Sequence, residues 1–122
     1  MITINSYRDL KVWQGSMVLV DLCFEILEAL PRKYFFVFCD QLLPASISIP
    51  ANIAEGAGRN STKELAQFLG IASGSKAELD THLEIATRLG FIKPDSEVFE
   101  LLNRVGRLLV GLRKSVRLTV VS

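Results

Sequence analysis

The sequence predicts an all-α fold: an antiparallel up-down bundle of four helices, with helix two kinked by proline. Three observations carry this. Apolar residues recur at steps of three and four through four separate segments. Short clusters of Pro, Gly, Asn and Ser divide the segments where helices would have to stop. The connections are only a few residues long, so consecutive helices must lie side by side. The expected helices run over about 9–30, 34–57, 62–90 and 95–117, within a single domain of 122 residues.

In helix one, Trp13, Met17, Val20, Phe24 and Leu27 are spaced as one buried stripe, and Pro31 ends the run. A second set, Leu19, Leu22, Cys23 and Ile26, widens the apolar sector, which predicts a second neighbour such as another subunit. Helix two places Phe38, Leu42, Ala45, Ile49, Ile53 and Gly56 on one side. Pro44 and Pro50 fall inside it, and each removes a backbone hydrogen bond at a cost of about 3 kcal/mol, so a bent helix is expected.

Gly56, Gly58 and Asn60 stop that helix, and Ser61-Thr62-Lys63-Glu64 has the form of a capping box that starts the next. Helix three carries Leu65, Phe68, Leu69, Ala72, Leu79, Leu83 and Ala86 on its apolar face. Ala66, Gly70 and Gly74 recur every four residues, and the small side chains suggest a tight helix crossing. Pro94, Asp95 and Ser96 open helix four, in which Val98, Leu101, Leu102, Val105, Leu108, Leu109, Leu112 and Val116 repeat at three and four.

Apolar residues make up 49% of the chain and charged residues 22%, a globular composition with an apolar excess that points to an oligomer. The net charge of +1 provides no global basic field, so nucleic-acid binding would need a local patch. Cys23 and Cys39 sit in apolar helical contexts and read as free thiols, which suits a reduced, cytoplasmic setting. Residues 1–7 lack the features of a secretory leader, and no run of about 18 residues is free of charge, so no membrane partner is expected.

Gln41, Ser48, Asn52, Glu55 and Arg59 line one face of helix two. They form either a binding site built on the Glu55 carboxylate or a hydrogen-bonded network that fixes helix register, and the network is the simpler reading. Glu55 has no second acid at fixed spacing, and no serine or cysteine has a histidine partner, so no enzyme is expected. His82, flanked by Asp80 and Glu84, reads as part of a solvated face. With no Cys-x-x-Cys pair and no phosphate-cradling loop, neither a metal nor another cofactor is expected. Past Leu101 the chain holds Arg104, Arg107, Arg113, Lys114 and Arg117 and no acid, either a phosphate-contacting stripe or a solvated face.

Several stretches together carry a family resemblance: Asp9-Leu10-Lys11-Val12-Trp13-Gln14, Leu30-Pro31, Gln41, Ser48-Ile49-Pro50-Ala51-Asn52-Ile53-Ala54-Glu55-Gly56, Phe68-Leu69-Gly70-Ile71-Ala72-Ser73-Gly74-Ser75 and Glu78-Leu79. They resemble the bacterial four-helix-bundle proteins encoded in intervening sequences of large-subunit ribosomal RNA genes. The resemblance spans about residues 7–114 and implies a ring-shaped homopentamer. A related branch, the accessory variability protein of diversity-generating retroelements, binds nucleic acid through basic residues, which implies RNA contact as an alternative role here.

The chain departs from that pattern after Gln41. The family shows Leu-Arg-Arg-Ala, and here the run is Leu42-Leu43-Pro44-Ala45. Just upstream, Tyr34-Phe35-Phe36-Val37-Phe38 holds four of the ten aromatic residues. Phe36 and Leu43 share a helix face with Val37 and Pro44 beside them, while Phe35, Phe38 and Leu42 can point inward. An outward apolar patch formed by Tyr34, Phe35, Phe36, Val37, Leu43 and Pro44 is therefore expected to meet a protein partner beyond the ring contact. Natural divergence and interface engineering would both produce such a change.

Overall fold

The computed structural model describes residues 4–121, with side chains to Leu118; Met1–Thr3, part of the stretch read for a leader, and Ser122 lie outside the described residues. Ser6 accepts a hydrogen bond from the Arg8 backbone and starts a short 3-10 turn over Tyr7–Asp9. Helix α1 then runs over Lys11–Ala29, beginning two residues later than expected because that turn takes up Asp9. Helix α2 spans Arg32–Ala57 without interruption, and Pro31 serves as its N-cap. Both Pro44 and Pro50 lie inside it, so the carbonyls of Asp40 and Ser46 lose the N–H donor that the helical ladder would supply.

Helix α3 spans Thr62–Arg88, and its Ser61 N-cap accepts from the Glu64 backbone N–H as the capping box predicts. It ends at Gly90, whose φ of +82° is the only positive value among the described residues. There Phe91 N–H bonds to the Ala86 carbonyl and Gly90 N–H to that of Thr87, which is the Schellman arrangement. Helix α4 spans Glu97–Val121.

Each helix packs against two others: α1 against α2 and α4, and α3 against α2 and α4. Along the α2–α3 seam residues meet in opposite order. Between α2 and α3, Gly56 lies against Phe68, Ser48 against Ser75, and Tyr34 against Phe91 just beyond α3. Among the described residues there is no strand. The core is filled by Leu42, Ile49 and Ile53 of α2, Leu69, Leu79 and Leu83 of α3, and Leu102, Val105 and Leu109 of α4, each fully or almost fully buried.

Helix α1 corrects the sequence reading. Its buried face is Val12, Ser16, Leu19, Cys23 and Leu27. Met17 and Phe24 of the expected stripe are exposed, while Trp13 and Val20 are half-buried. The stripe was displaced because Ser16 reads as polar: its hydroxyl donates to the Trp13 carbonyl, is thereby satisfied, and goes inside. The glycines are corrected as well. A Cβ at Gly74 would meet nothing and one at Gly70 only the tip of Arg113, so neither makes a tight crossing. The close approaches are at Gly56, where a Cβ would stand 2.8 Å from Phe68 Cβ, and at Gly15, 3.3 Å from Val105.

By length and composition alone α2 could cross a membrane, with a mean hydropathy of 1.2 over its most apolar window. The same apolar residues, Phe38, Leu42, Ile49 and Ile53, are the ones it packs into the bundle.

Candidate interaction surfaces

The polar file on α2 resolves into two local groups. Ser48 Oγ and Ser75 Oγ lie 2.7 Å apart across the α2–α3 seam, and the Asn52 amide donates to both the hydroxyl and the carbonyl of Ser48. With Ser75 buried and Ser48 and Asn52 half-buried, this set links the helices at one level. One turn on, Arg59 pairs with Glu55 at 2.8 Å and stacks over the Phe68 ring at 5.1 Å. With both partners about half exposed, that pair contributes only about 0–1 kcal/mol. Its carboxylate is tied to a cation and opens onto a shallow hollow shared with Tyr7, Ala51, Ala54 and Gly58. Gln41 is exposed and stays outside both groups.

The cations of α4 do not form one stripe. Arg104 turns toward α1, into a groove lined by Val18, Leu22, Glu97, Glu100 and Leu101, where two carboxylates accompany it. Arg107 borders that groove and also the one between α4 and α3. Arg113 is half-buried beside Gly70 of α3, whereas Lys114 and Arg117 are exposed. Lys76 of α3, missed in the sequence, joins this side: its Cε lies 3.0 Å from where a Cβ on Gly106 would stand.

The aromatic segment is divided too. Phe36 is 68% and Val37 64% exposed, and Pro44 is exposed. Tyr34 leans on Phe91 with ring centroids 4.9 Å apart, and Phe35 is half-buried, edge-on to Phe36. Leu43 corrects the expectation, since it packs against the core. Its place on the outer surface is taken by Ile47, four residues on and 45% exposed. Ser48 faces α3, so the opposite edge of α2, with Leu43 and Ile47, turns toward α1. On α1, Val18 and Leu22 face α4, so Met17 and Phe24 lie on the edge toward α2. Met17 is 41% and Phe24 45% exposed, and with Ile47 they put exposed apolar side chains on the facing edges of α1 and α2, an apolar flank with Phe36 beyond it toward the start of α2.

A protein-family model described as 23S rRNA-intervening sequence protein matches residues 8–111. The chain belongs to that family. No curated protein matches the sequence. The span matched by the 23S rRNA-intervening sequence protein family includes the polar file of α2, the apolar flank, Lys76 and Arg107, and it stops before Arg113, Lys114 and Arg117.

Two titratable side chains inside the matched family span differ from simple surface groups. His82 is not on a solvated face: it is half-buried, with Nε2 3.6 Å from a Glu78 carboxylate oxygen and without a hydrogen bond. Asp80 and Glu84, its sequence neighbours, pair instead with Lys76 and Arg88. Among the described residues no group of His, Cys, Asp and Glu could hold a metal ion.

Cys23 and Cys39 are both free thiols. Burial pushes the Cys23 thiol up to about 12, partly offset by a hydrogen bond with Ser46. The folded state therefore holds its proton through a range in which the unfolded chain, ionising near pH 9, has released it. This contribution to stability is complete below about pH 9 and is lost as pH rises toward 12. The urea midpoint should fall between pH 8 and pH 10.5 by more in the natural chain than in Cys23→Ala; equal falls in both would contradict the assignment.

Proposed function

We propose that the chain is a non-enzymatic, self-assembling helical module of the cytoplasm, and that its assembly is the ring of five copies implied by the family resemblance. The observation that supports this is the apolar flank of Met17, Phe24 and Ile47. Exposed apolar side chains gathered on neighbouring helix edges mark interaction sites, and large side chains of this kind anchor protein contacts. A ring joins two different faces of each copy. Exposed apolar side chains on α3, Ile71 and Ile85, are available for the second face.

In this reading Phe36, Val37 and Pro44, with Tyr34 and Phe35 behind them, extend the flank at one end and offer a contact to a second protein component. The Ser48, Asn52 and Ser75 group then keeps α2 and α3 in register so that the flank is presented as a rigid surface. The native mass of the purified protein tests the proposal. About five times the 13.5 kDa chain mass is expected, and a species of 13.5 kDa at micromolar concentration would sink it.

A further inference from the structure

We infer that the groove between α3 and α4 is a binding site for a phosphate group, carried either by an RNA backbone or by a small phosphate compound. The groove is about 470 Å³ in volume and is lined by Ser73 and Lys76 of α3 and by Asn103, Gly106, Arg107 and Val110 of α4, with Leu109 behind them. Its lining contains two cations, a hydroxyl and an amide, and no carboxylate.

The cations are placed by glycines of the facing helix. Lys76 of α3 lies across Gly106 of α4, with Nζ 3.2 Å from where a Cβ would stand. One to two turns further along the same seam, Arg113 of α4 passes 3.8 Å from the corresponding position on Gly70 of α3. Two mid-helix glycines weaken their helices by about 1 kcal/mol each relative to alanine. Gly70 and Gly106 do not bring the helices themselves into close contact, since the nearest atoms to each are the tips of Arg113 and Lys76. What they leave is room for a cationic side chain to lie in the groove.

These cations are also uncommitted. Lys76 meets Asp80 only at 3.8 Å, and Asp80 is about half exposed. Arg107 and Arg113 have no ion pair or hydrogen bond among the described residues. Arg104, likewise without an ion pair among the described residues, lines only the groove that contains Glu97 and Glu100, whereas Arg107 borders both that groove and this one. Two cations with neutral donors between them, and Arg113 further along the same seam, suit a group with several acceptor oxygens and more than one negative charge, because a single carboxylate would leave a cation unmatched. Ser73 and Asn103 can donate to the remaining oxygens.

The test uses the full chain as purified, with Lys76→Gln, Arg107→Gln and Arg113→Gln, and with Arg104→Gln as the comparison. Anisotropy of a short labelled single-stranded RNA is followed from about 50 to about 200 mM salt. Each groove variant should weaken binding and lower the slope of log affinity against log salt by about one, while Arg104→Gln binds as the parent does. Gly106→Ala, which displaces Lys76 without removing charge, should also weaken binding. Inorganic phosphate and adenosine diphosphate are titrated separately. Failure of either to compete at millimolar concentration identifies a polymer backbone as the source, and groove-dependent binding of either without tighter RNA binding identifies a small phosphate compound. Two results overturn the inference: no binding of any of the three probes, or a loss on Arg104→Gln equal to that of the groove variants.

Discussion

Leu42→Ala is expected to lower the free energy of unfolding by about 2–5 kcal/mol, whereas Phe36→Ala, six residues away, should change the stability of the isolated bundle by less than about 1 kcal/mol. Leu42 is completely buried, so its truncation removes apolar contact and leaves a cavity that rigid neighbours fill only in part. The loss is a large fraction of the roughly 5–15 kcal/mol by which a domain is stable. Phe36 is 68% exposed and leans on Phe35 alone among the aromatic rings. Urea unfolding of the two variants, read by far-ultraviolet circular dichroism at low protein concentration, makes the comparison. A Phe36→Ala loss as large as that of Leu42→Ala would mean that the outward placement of this segment is wrong.

That contrast also marks how far the sequence could be read. Leu42 was expected inside and Phe36 outside from the helical period alone, because α2 has a broad, unbroken apolar face whose centre is unambiguous. The same period misplaced Leu43, which sits at the boundary of that face. A boundary residue is assigned by where the neighbouring helix lies, and α1 covers it. Helix α1 was harder still. Its apolar residues surround much of the helix, so several stripes compete, and the true one runs through Ser16, a residue no hydropathy count would choose.

Capping chemistry was the most legible part. Ser61 caps α3 and Gly90 ends its C-terminus, because both effects act within a few residues and need no knowledge of the tertiary fold. The candidate sites were legible in proportion to their locality. Ser48, Asn52 and Glu55 on α2, and Arg59 just past its end, interact chiefly four residues apart, a spacing that was visible. Ser75, which completes the first group, lies 27 residues away from Ser48 and carried no local signal. Lys76 was missed for the same reason. Its relation to Gly106 exists only once α3 and α4 are side by side, and the Gly70 spacing that hinted at it was read as helix contact instead of space for Arg113.

The apolar flank leads to the largest expected change in the state of the protein. Phe24→Asp combined with Ile47→Asp should reduce the native mass from the multimer to the 13.5 kDa chain, since each copy would have to desolvate two carboxylates where it now covers two apolar side chains. Both residues are about half exposed on the bundle, so the helices should survive: circular dichroism keeps its shape while the mass falls. The thermal midpoint of the parent should rise with protein concentration, and that dependence should vanish in the double variant, because association stabilises only the folded state. Phe36→Asp with Val37→Asp separates the two contacts proposed for this surface. They sit at the end of the flank, so this pair should leave the ring mass intact and remove only a larger assembly or a second bound protein. If the Phe24 and Ile47 changes leave the multimer whole, the ring does not use the α1–α2 flank.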